Sequence, residues 1–124
     1  MHTVIETHSY RRAADQAGMT EDERLRLNNL LAENPMAGDL IQGTGGARKL
    51  RFAKPGKGKS GSYRVITYYA ADDVPVFIMD VYSKGEKINL TASDKAALKK
   101  ILDTVAEDWR ASVRQKVKEM RTAS

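Results

Sequence analysis

Hydrophobic and polar positions repeat with two different periods along the chain. Near the N-terminus, residues 3–7 are rich in β-branched side chains, which predicts a short strand. A helix face follows, with four apolar residues at helical spacing: Tyr10, Ala13, Ala14 and Ala17. We expect Ser9 to cap this helix and Gly18 to end it.

A second helix is predicted over residues 21–34. Thr20 and Glu23 have the spacing of a capping box, and Pro35 lies just past the expected end of the helix. Three leucines are expected to point inward: Leu27, Leu30 and Leu31. Residues 38–46 are rich in glycine and polar side chains, so we interpret them as a connector.

The hydrophobic period then changes to two, which is typical of β-strands. Strands are predicted over residues 48–52, 62–70 and 74–83, and the Gly- and Pro-rich residues 53–62 predict a hairpin loop. Because short loops join these three strands, we expect them to be antiparallel neighbours. The nearly continuous apolar sequence of residues 74–83 indicates a central strand that is covered on both faces.

The C-terminal part of the chain returns to helical spacing, with Thr91 as the expected N-cap. One apolar stripe runs through it: Leu98, Ile101, Leu102, Val105, Trp109, Val113, Val117 and Met120. A helix over residues 92–120 is about 45 Å long, which exceeds what a domain of this size covers. We therefore expect the helix either to break near Asp108 or to project and pack on something else.

These elements predict an α+β fold in which helices cover one face of an antiparallel sheet. A chain of 124 residues is long enough for one hydrophobic core. We divide it into a folded domain over residues 1–106 and a C-terminal helical extension over residues 107–124.

The composition excludes several kinds of chemistry. The chain has no cysteine, so it forms no disulfide and has no thiolate metal site or cysteine nucleophile. Its two histidines, His2 and His8, have no partner at a metal-ligand spacing, and we expect neither a metal nor a cofactor. No apolar run approaches the roughly 20 residues of a membrane helix, and residues 1–10 lack a signal-peptide core. We therefore expect a cytoplasmic protein with no membrane partner.

The positive charge of the chain is concentrated in its middle. The net charge is +5, yet no acidic residue lies between Asp39 and Asp72. That interval holds seven cations: Arg48, Lys49, Arg51, Lys54, Lys57, Lys59 and Arg64. Concentrated positive charge attracts a polyanion more strongly than scattered charge does, although a solvated basic loop is the alternative.

Several of these cations are expected to meet on the sheet. Lys49 and Arg51 share one strand face, and Arg64 lies on the next strand. Three more candidates follow near the end of the last strand: Tyr82, Lys84 and Lys87. Together they predict a phosphate-binding concavity with a phenol beside it, while a half-buried structural tyrosine is the alternative for the phenol.

The glycine- and lysine-containing residues 56–60 invite comparison with a nucleotide-binding loop. That motif needs a glycine where Ala53 stands, and it needs a helix after the loop. A strand is predicted there instead, so we interpret the segment as the basic tip of a hairpin.

Three ordered segments resemble the RelE/HigB toxins of bacterial type II toxin–antitoxin systems, most closely the HigB-like branch. They are Gly-Thr-Gly-Gly-Ala-Arg-Lys-Leu-Arg at 43–51, Gly-Ser-Tyr-Arg-Val at 61–65 and Val-Tyr-Ser-Lys-Gly-Glu-Lys-Ile-Asn-Leu-Thr at 81–91. The resemblance extends from about residue 3 to about residue 105. It implies a RelE-like antiparallel sheet with two N-terminal helices and a C-terminal helix packed on it.

The resemblance also implies a function. It implies metal-independent cleavage of translated messenger RNA, at the ribosomal A site, by a toxin whose partners are the ribosome, the message and an antitoxin often encoded beside it. We expect that antitoxin to be a helix-turn-helix protein with an acidic segment, which also covers the stripe at residues 109–120.

The resemblance and the charge pattern together assign roles to individual residues. The expected catalytic residues are Lys49, Arg64, Tyr82 and Lys84. The expected RNA-binding residues are Arg48, Arg51, Lys54, Lys57, Lys59 and Lys87. RelE has a functional tyrosine further along, where Thr91 stands in this chain, and Tyr82 is the expected substitute.

Two other functions remain open from the sequence. One is a ParE-like toxin with the same fold, which acts on DNA gyrase. The other is a nucleic-acid-binding module that uses the basic segment without catalysis.

Overall fold

The computed structural model describes residues 2–53, 62–83 and 90–123. Within them the chain forms strands β1 (Val4–Glu6), β2 (Asp39–Leu40), β3 (Ala47–Ala53), β4 (Ser62–Tyr68) and β5 (Val76–Ser83), and helices α1 (His8–Gln16), α2 (Glu21–Glu33) and α3 (Ala92–Ala123). The predicted α+β fold is confirmed. The short strand β2, which lies in the glycine-rich connector, was not predicted.

The five strands form one sheet in the order β1-β5-β4-β3-β2. β3, β4 and β5 are antiparallel neighbours, as the short loops between them predict. β1 pairs with β5 in the parallel direction, so the sheet is mixed rather than purely antiparallel. The long connection between β1 and β5 permits this parallel pairing, which a short hairpin cannot make.

Helices pack on both faces of the sheet. On one face, α1 and α2 bury their apolar side chains against Tyr63, Val65, Val76, Ile78 and Val81. On the other face, which we call the α3 face, Leu102 and Ala106 of α3 pack on Ala47, Tyr68 and Phe77. The expectation that all helices cover a single face is therefore wrong. The physical reason is that successive residues of these strands point to opposite faces and are apolar on both.

A β-bulge in β5 decides which of its side chains share the α3 face. Ile66 is opposite Asp80, but Thr67 is opposite Ile78, so Met79 has no counterpart in β4. A regular strand would place residues 77 and 82 on opposite faces, because side chains alternate. The extra residue brings both to the α3 face, where one packs under α3 and the other remains available for a site.

The helix ends follow their capping residues. Thr20 and Glu23 form the predicted capping box of α2. The N-cap of α1 is Thr7 rather than Ser9, because the Thr7 hydroxyl accepts the backbone N–H of Tyr10. Leu30 was expected to point inward but is 39% exposed, since it lies beside rather than on the stripe that faces the sheet.

α3 is continuous and does not break near Asp108. Its 32 residues span about 48 Å. Arg110 anchors it to the turn before β5, where its guanidinium donates to both carboxylate oxygens of Asp73 at 2.7 and 3.1 Å. Beyond this ion pair every residue from 111 to 122 is exposed, so the helix projects, which is the second of the two expected outcomes. In the part of the chain that the structure describes, no helix is apolar enough over sufficient length to cross a bilayer.

Replacing Leu102 tests the packing of α3 on the sheet. Leu102 is fully buried, so Leu102→Ala should lower the free energy of unfolding by about 2–5 kcal/mol in urea titrations. Its neighbour Ile101 is 56% exposed, and Ile101→Ala should change that free energy by no more than about 0.5 kcal/mol. Equal effects of the two substitutions would contradict the packing described here.

Candidate functional site

Three predicted site residues lie side by side across the sheet. In the strand register Arg51 is opposite Arg64, and Arg64 is opposite Tyr82. All three therefore point to the same face, and residues directly opposite each other have Cβ atoms about 4.5–5.5 Å apart. We call these three side chains the arginine–tyrosine row. The row lies on the α3 face. Tyr68 packs against α3, and Arg64 lies four positions earlier on β4, so the alternation of side chains puts both on the same face.

Lys49 lies one step further along the same face. The register aligns it with Ile66 and Asp80, so these three residues form a second row beside the arginine–tyrosine row. Lys49 and Arg51 are both exposed, and Arg64 is half-buried. The two rows bring together three of the predicted cations and the predicted tyrosine, as the sequence pattern requires.

Ser62 orients Arg64. The Arg64 guanidinium donates a hydrogen bond of 2.8 Å from Nη1 to the hydroxyl oxygen of Ser62, which lies two residues earlier on the same strand and is 2% exposed. A guanidinium has five N–H donors, so this bond leaves donors available for a ligand. A buried acceptor thus holds the side chain in one orientation.

The two arginines of the row carry like charges at directly opposed strand positions. Like charges directly opposite each other on neighbouring strands destabilise a sheet, and Arg51 and Arg64 occupy such positions. An anionic group between the two guanidiniums would remove this repulsion and accept their N–H donors in the forked geometry that suits a phosphate. The row is therefore a candidate site for an anionic group.

The environment keeps the Tyr82 phenol protonated. Burial raises the pKa of Tyr82, the positive charge of Arg64 opposes that rise, and the carboxylate of Asp80 adds to it. At neutral pH the phenol is therefore a hydrogen-bond donor rather than a base. Tyr82 as a whole is only 7% exposed, so contact with a ligand is limited to a small part of the residue.

A cleft of about 550 Å³ opens beside the two rows, between the sheet and the first turns of α3. Its sheet side includes Lys49, Ile66, Asp80 and Tyr82, and its α3 side includes Lys95, Leu98 and Ile101. The cleft thus combines apolar side chains with a few charged groups, which is typical of small-molecule binding sites.

Other predicted residues lie elsewhere or outside the described residues. Arg48 is opposite Thr67 and therefore points to the face that α1 and α2 cover, where it is 8% exposed. The structure does not bring it to the arginine–tyrosine row. The remaining five predicted residues lie outside the described residues: Lys54, Lys57, Lys59, Lys84 and Lys87.

Sequence reasoning missed two parts of the site. It missed Ser62. Residues two apart on a strand lie on the same face, so the sequence could have predicted a contact between the Ser62 hydroxyl and Arg64. It also missed the cleft, because α3 was expected on the other face. Among the described residues, no group of three or more histidine and acidic side chains is arranged to hold a metal ion.

Comparison with known proteins gives a family and a related structure. The family model of the RelE toxin of the RelE / RelB toxin-antitoxin system matches residues 2–123. The match extends past residue 105 into the projecting part of α3. Among solved structures, the chain is similar to a free-state double arginine-to-alanine mutant of E. coli toxin RelE, at 17% identity and a TM-score of 0.47, with 68% of this chain and 84% of that chain covered.

Titration of Tyr82 tests the proximity of Arg64. Because the Arg64 charge opposes the rise in the Tyr82 pKa, Arg64→Ala should raise that pKa further. NMR titration with ring-labelled tyrosine measures it, and Tyr82→Phe assigns the signal. Arg51→Ala serves as the matched control, since Arg51 lies two strands away and should have a smaller effect. A Tyr82 pKa that falls or stays constant in Arg64→Ala would contradict the row.

Proposed function

Because the chain belongs to the RelE toxin family, it is the toxin of a toxin–antitoxin module, and we propose that it acts as an endoribonuclease on messenger RNA. We propose that it cleaves translated messages in the ribosomal A site, in the cytoplasm, and without a metal. Its proposed partners are the ribosome, the message and an antitoxin of the helix-turn-helix type with an acidic segment.

The observation that supports this proposal best is the arginine–tyrosine row. Two guanidiniums on neighbouring strands, one of them fixed by Ser62, suit a phosphodiester whose charge increases during reaction. Lys49 lies on the adjacent row, on the same face of the sheet. A sheet face with this composition favours RNA as the substrate class.

The proposed reaction is an intramolecular phosphoryl transfer. The RNA 2′-oxygen loses its proton and bonds to the neighbouring phosphorus, while the bond from phosphorus to the 5′-oxygen breaks and that oxygen gains a proton. The products are a 2′,3′-cyclic phosphate and a 5′-hydroxyl. The pentavalent intermediate has one more negative charge than the diester, and Arg64 is the proposed group that stabilises it through two phosphate oxygens.

Proton transfer is assigned to the lysines. The Lys49 ammonium can donate a proton to the leaving 5′-oxygen. Lys84, which lies outside the described residues, is proposed to accept the proton of the 2′-hydroxyl as a neutral amine. Tyr82 remains protonated, since burial raises its pKa, so we assign it an orienting hydrogen bond rather than a proton abstraction. General acid–base catalysis of this kind contributes about 10²–10⁴-fold per group.

The ribosome completes the proposed site. With cations and a phenol as its chemical groups, the row alone should act weakly on free RNA. We propose that the ribosome holds the message so that the 2′-oxygen is aligned with the leaving group, because such alignment accounts for much of an enzyme's rate. The HigB-like branch and the division into residues 1–106 and 107–124 stay predictions.

Replacing Arg64 tests the proposed function. Arg64→Ala should lower message cleavage in a translating extract by about 100-fold or more, because one preformed donor to a charged intermediate is worth that much. Arg12→Ala, an exposed arginine on α1, is the matched control and should cleave at the wild-type rate. Thermal unfolding of both variants checks that the loss is not a folding defect.

Three outcomes would overturn the proposal. One is full cleavage by Arg64→Ala. Another is inhibition of DNA gyrase supercoiling by the wild-type chain with no cut message, which would favour the ParE-like alternative. The third is salt-sensitive RNA binding without any strand scission, which would favour a binding module.

A further inference from the structure

The apolar face of α3 continues past the sheet that it packs on. Leu102, Ala106 and Trp109 contact the sheet or its aromatic residues. Val113, Val117 and Met120 follow at steps of four, four and three and therefore lie on the same side of the helix. They are 44%, 43% and 70% exposed. We call these three residues the distal stripe.

The helix around the distal stripe is strongly basic. Residues 109–122 contain one carboxylate, Glu119, and five cations: Arg110, Arg114, Lys116, Lys118 and Arg121. Arg110 pairs with Asp73, and Arg114 pairs with Glu107. The surface therefore combines an apolar line with a surplus of positive charge, which fits an amphipathic segment with acidic flanks.

The projecting half of α3 is also a preformed but weakly supported element. A free helix of about 12 residues is marginal in water, and residues 111–122 have no packing on the sheet to support them. Their helical state is propagated from the packed half through the Arg110–Asp73 anchor. A partner that covers the stripe would stabilise this helix while paying little ordering entropy on the side of this chain.

We propose that the distal stripe is a docking surface for the antitoxin, which binds it through an acidic amphipathic segment. The proposal rests on the family, which pairs the toxin with an antitoxin, and not on RNA cleavage. It places this contact on the projecting helix, away from the arginine–tyrosine row. Toxin capture and toxin neutralisation thereby become separable functions of two surfaces.

A second copy of this chain is a poorer occupant. Two distal stripes that pack together bring two sets of five cations and one carboxylate into proximity, and their repulsion opposes association. An acidic segment would instead neutralise the excess positive charge of the projecting helix. The charge balance therefore selects an acidic partner.

Paired serine substitutions separate the stripe from the rest of the helix. The probe is the protein encoded by the reading frame next to this chain, and its affinity for the purified full-length toxin is measured by calorimetry without RNA. Val113→Ser combined with Val117→Ser should weaken binding by about tenfold. The matched control combines Ala111→Ser with Gln115→Ser, on the opposite side of the same helix, and should bind as the wild type does.

Two lysines test the charge requirement in the same way. Lys116 flanks the distal stripe, whereas Lys118 lies on the opposite side of the helix, so Lys116→Glu and Lys118→Glu change the net charge equally at different places. Lys116→Glu should weaken binding more than Lys118→Glu does, and the difference should shrink at high salt. Equal effects would show that the partner responds to overall charge and would overturn a contact at the stripe.

Protease protection provides the second readout. Trypsin should cut the free chain within residues 110–121, and addition of the antitoxin should protect these sites.

Unchanged affinity in the stripe variant, equal cleavage with and without antitoxin, or no complex with the wild-type chain would each overturn the proposal. A free dimer that the stripe variant converts to monomer, with antitoxin affinity unchanged, would assign the stripe to a second copy. Translation inhibition by the stripe variant alone should equal that of the wild type, so failure here is distinguishable from failure of the proposed function.

Discussion

The register of β3, β4 and β5 is the constraint on which the site depends. It sets Arg51 opposite Arg64 and Arg64 opposite Tyr82. A slip by one residue would turn the moved strand's side chains to the other face, so the same pairing that buries the core assembles the row. The bulge at Met79 adds the second requirement, since it lets β5 contribute Phe77 to the core under α3 and Tyr82 to the site on one face.

Two opposing electrostatic demands meet on that face. Arg51 and Arg64 carry like charges at directly opposed strand positions, and the Ser62 hydroxyl accepts a hydrogen bond that holds the Arg64 guanidinium on this face. An anion bound between the two guanidiniums would stabilise this arrangement. The projecting half of α3 also carries groups that a partner would stabilise, because its apolar distal stripe is exposed to solvent on a basic helix. Both features fit the proposed roles of the two surfaces, an anion on the arginine–tyrosine row and an antitoxin on the distal stripe.

Local patterns in the sequence were sufficient for most of the elements. Period-two alternation at residues 48–52 also predicts the face that Lys49 and Arg51 share, whereas the face of Tyr82 relative to Phe77 depends on the bulge in β5. The side of the sheet on which α3 lies depends on long-range packing of Leu102 and Ala106, and nothing local specifies it. The bulge could not be predicted from the sequence either, because Met79 is an ordinary apolar residue in an apolar strand. The N-cap of α1 was misplaced by two residues because Thr7 and Ser9 both have suitable hydroxyls.

The central claim is that folding gathers Arg51, Arg64 and Tyr82 into one anion-binding row. NMR detection of arginine side-chain N–H groups during titration with an RNA that lacks the 2′-hydroxyl at the scissile position tests it most directly, since that RNA binds without being cut. The account predicts that the Arg51 and Arg64 signals shift together and saturate at one RNA concentration, while the Arg12 signal stays unchanged. Separate saturation of the Arg51 and Arg64 signals, or no shift of either, would contradict it.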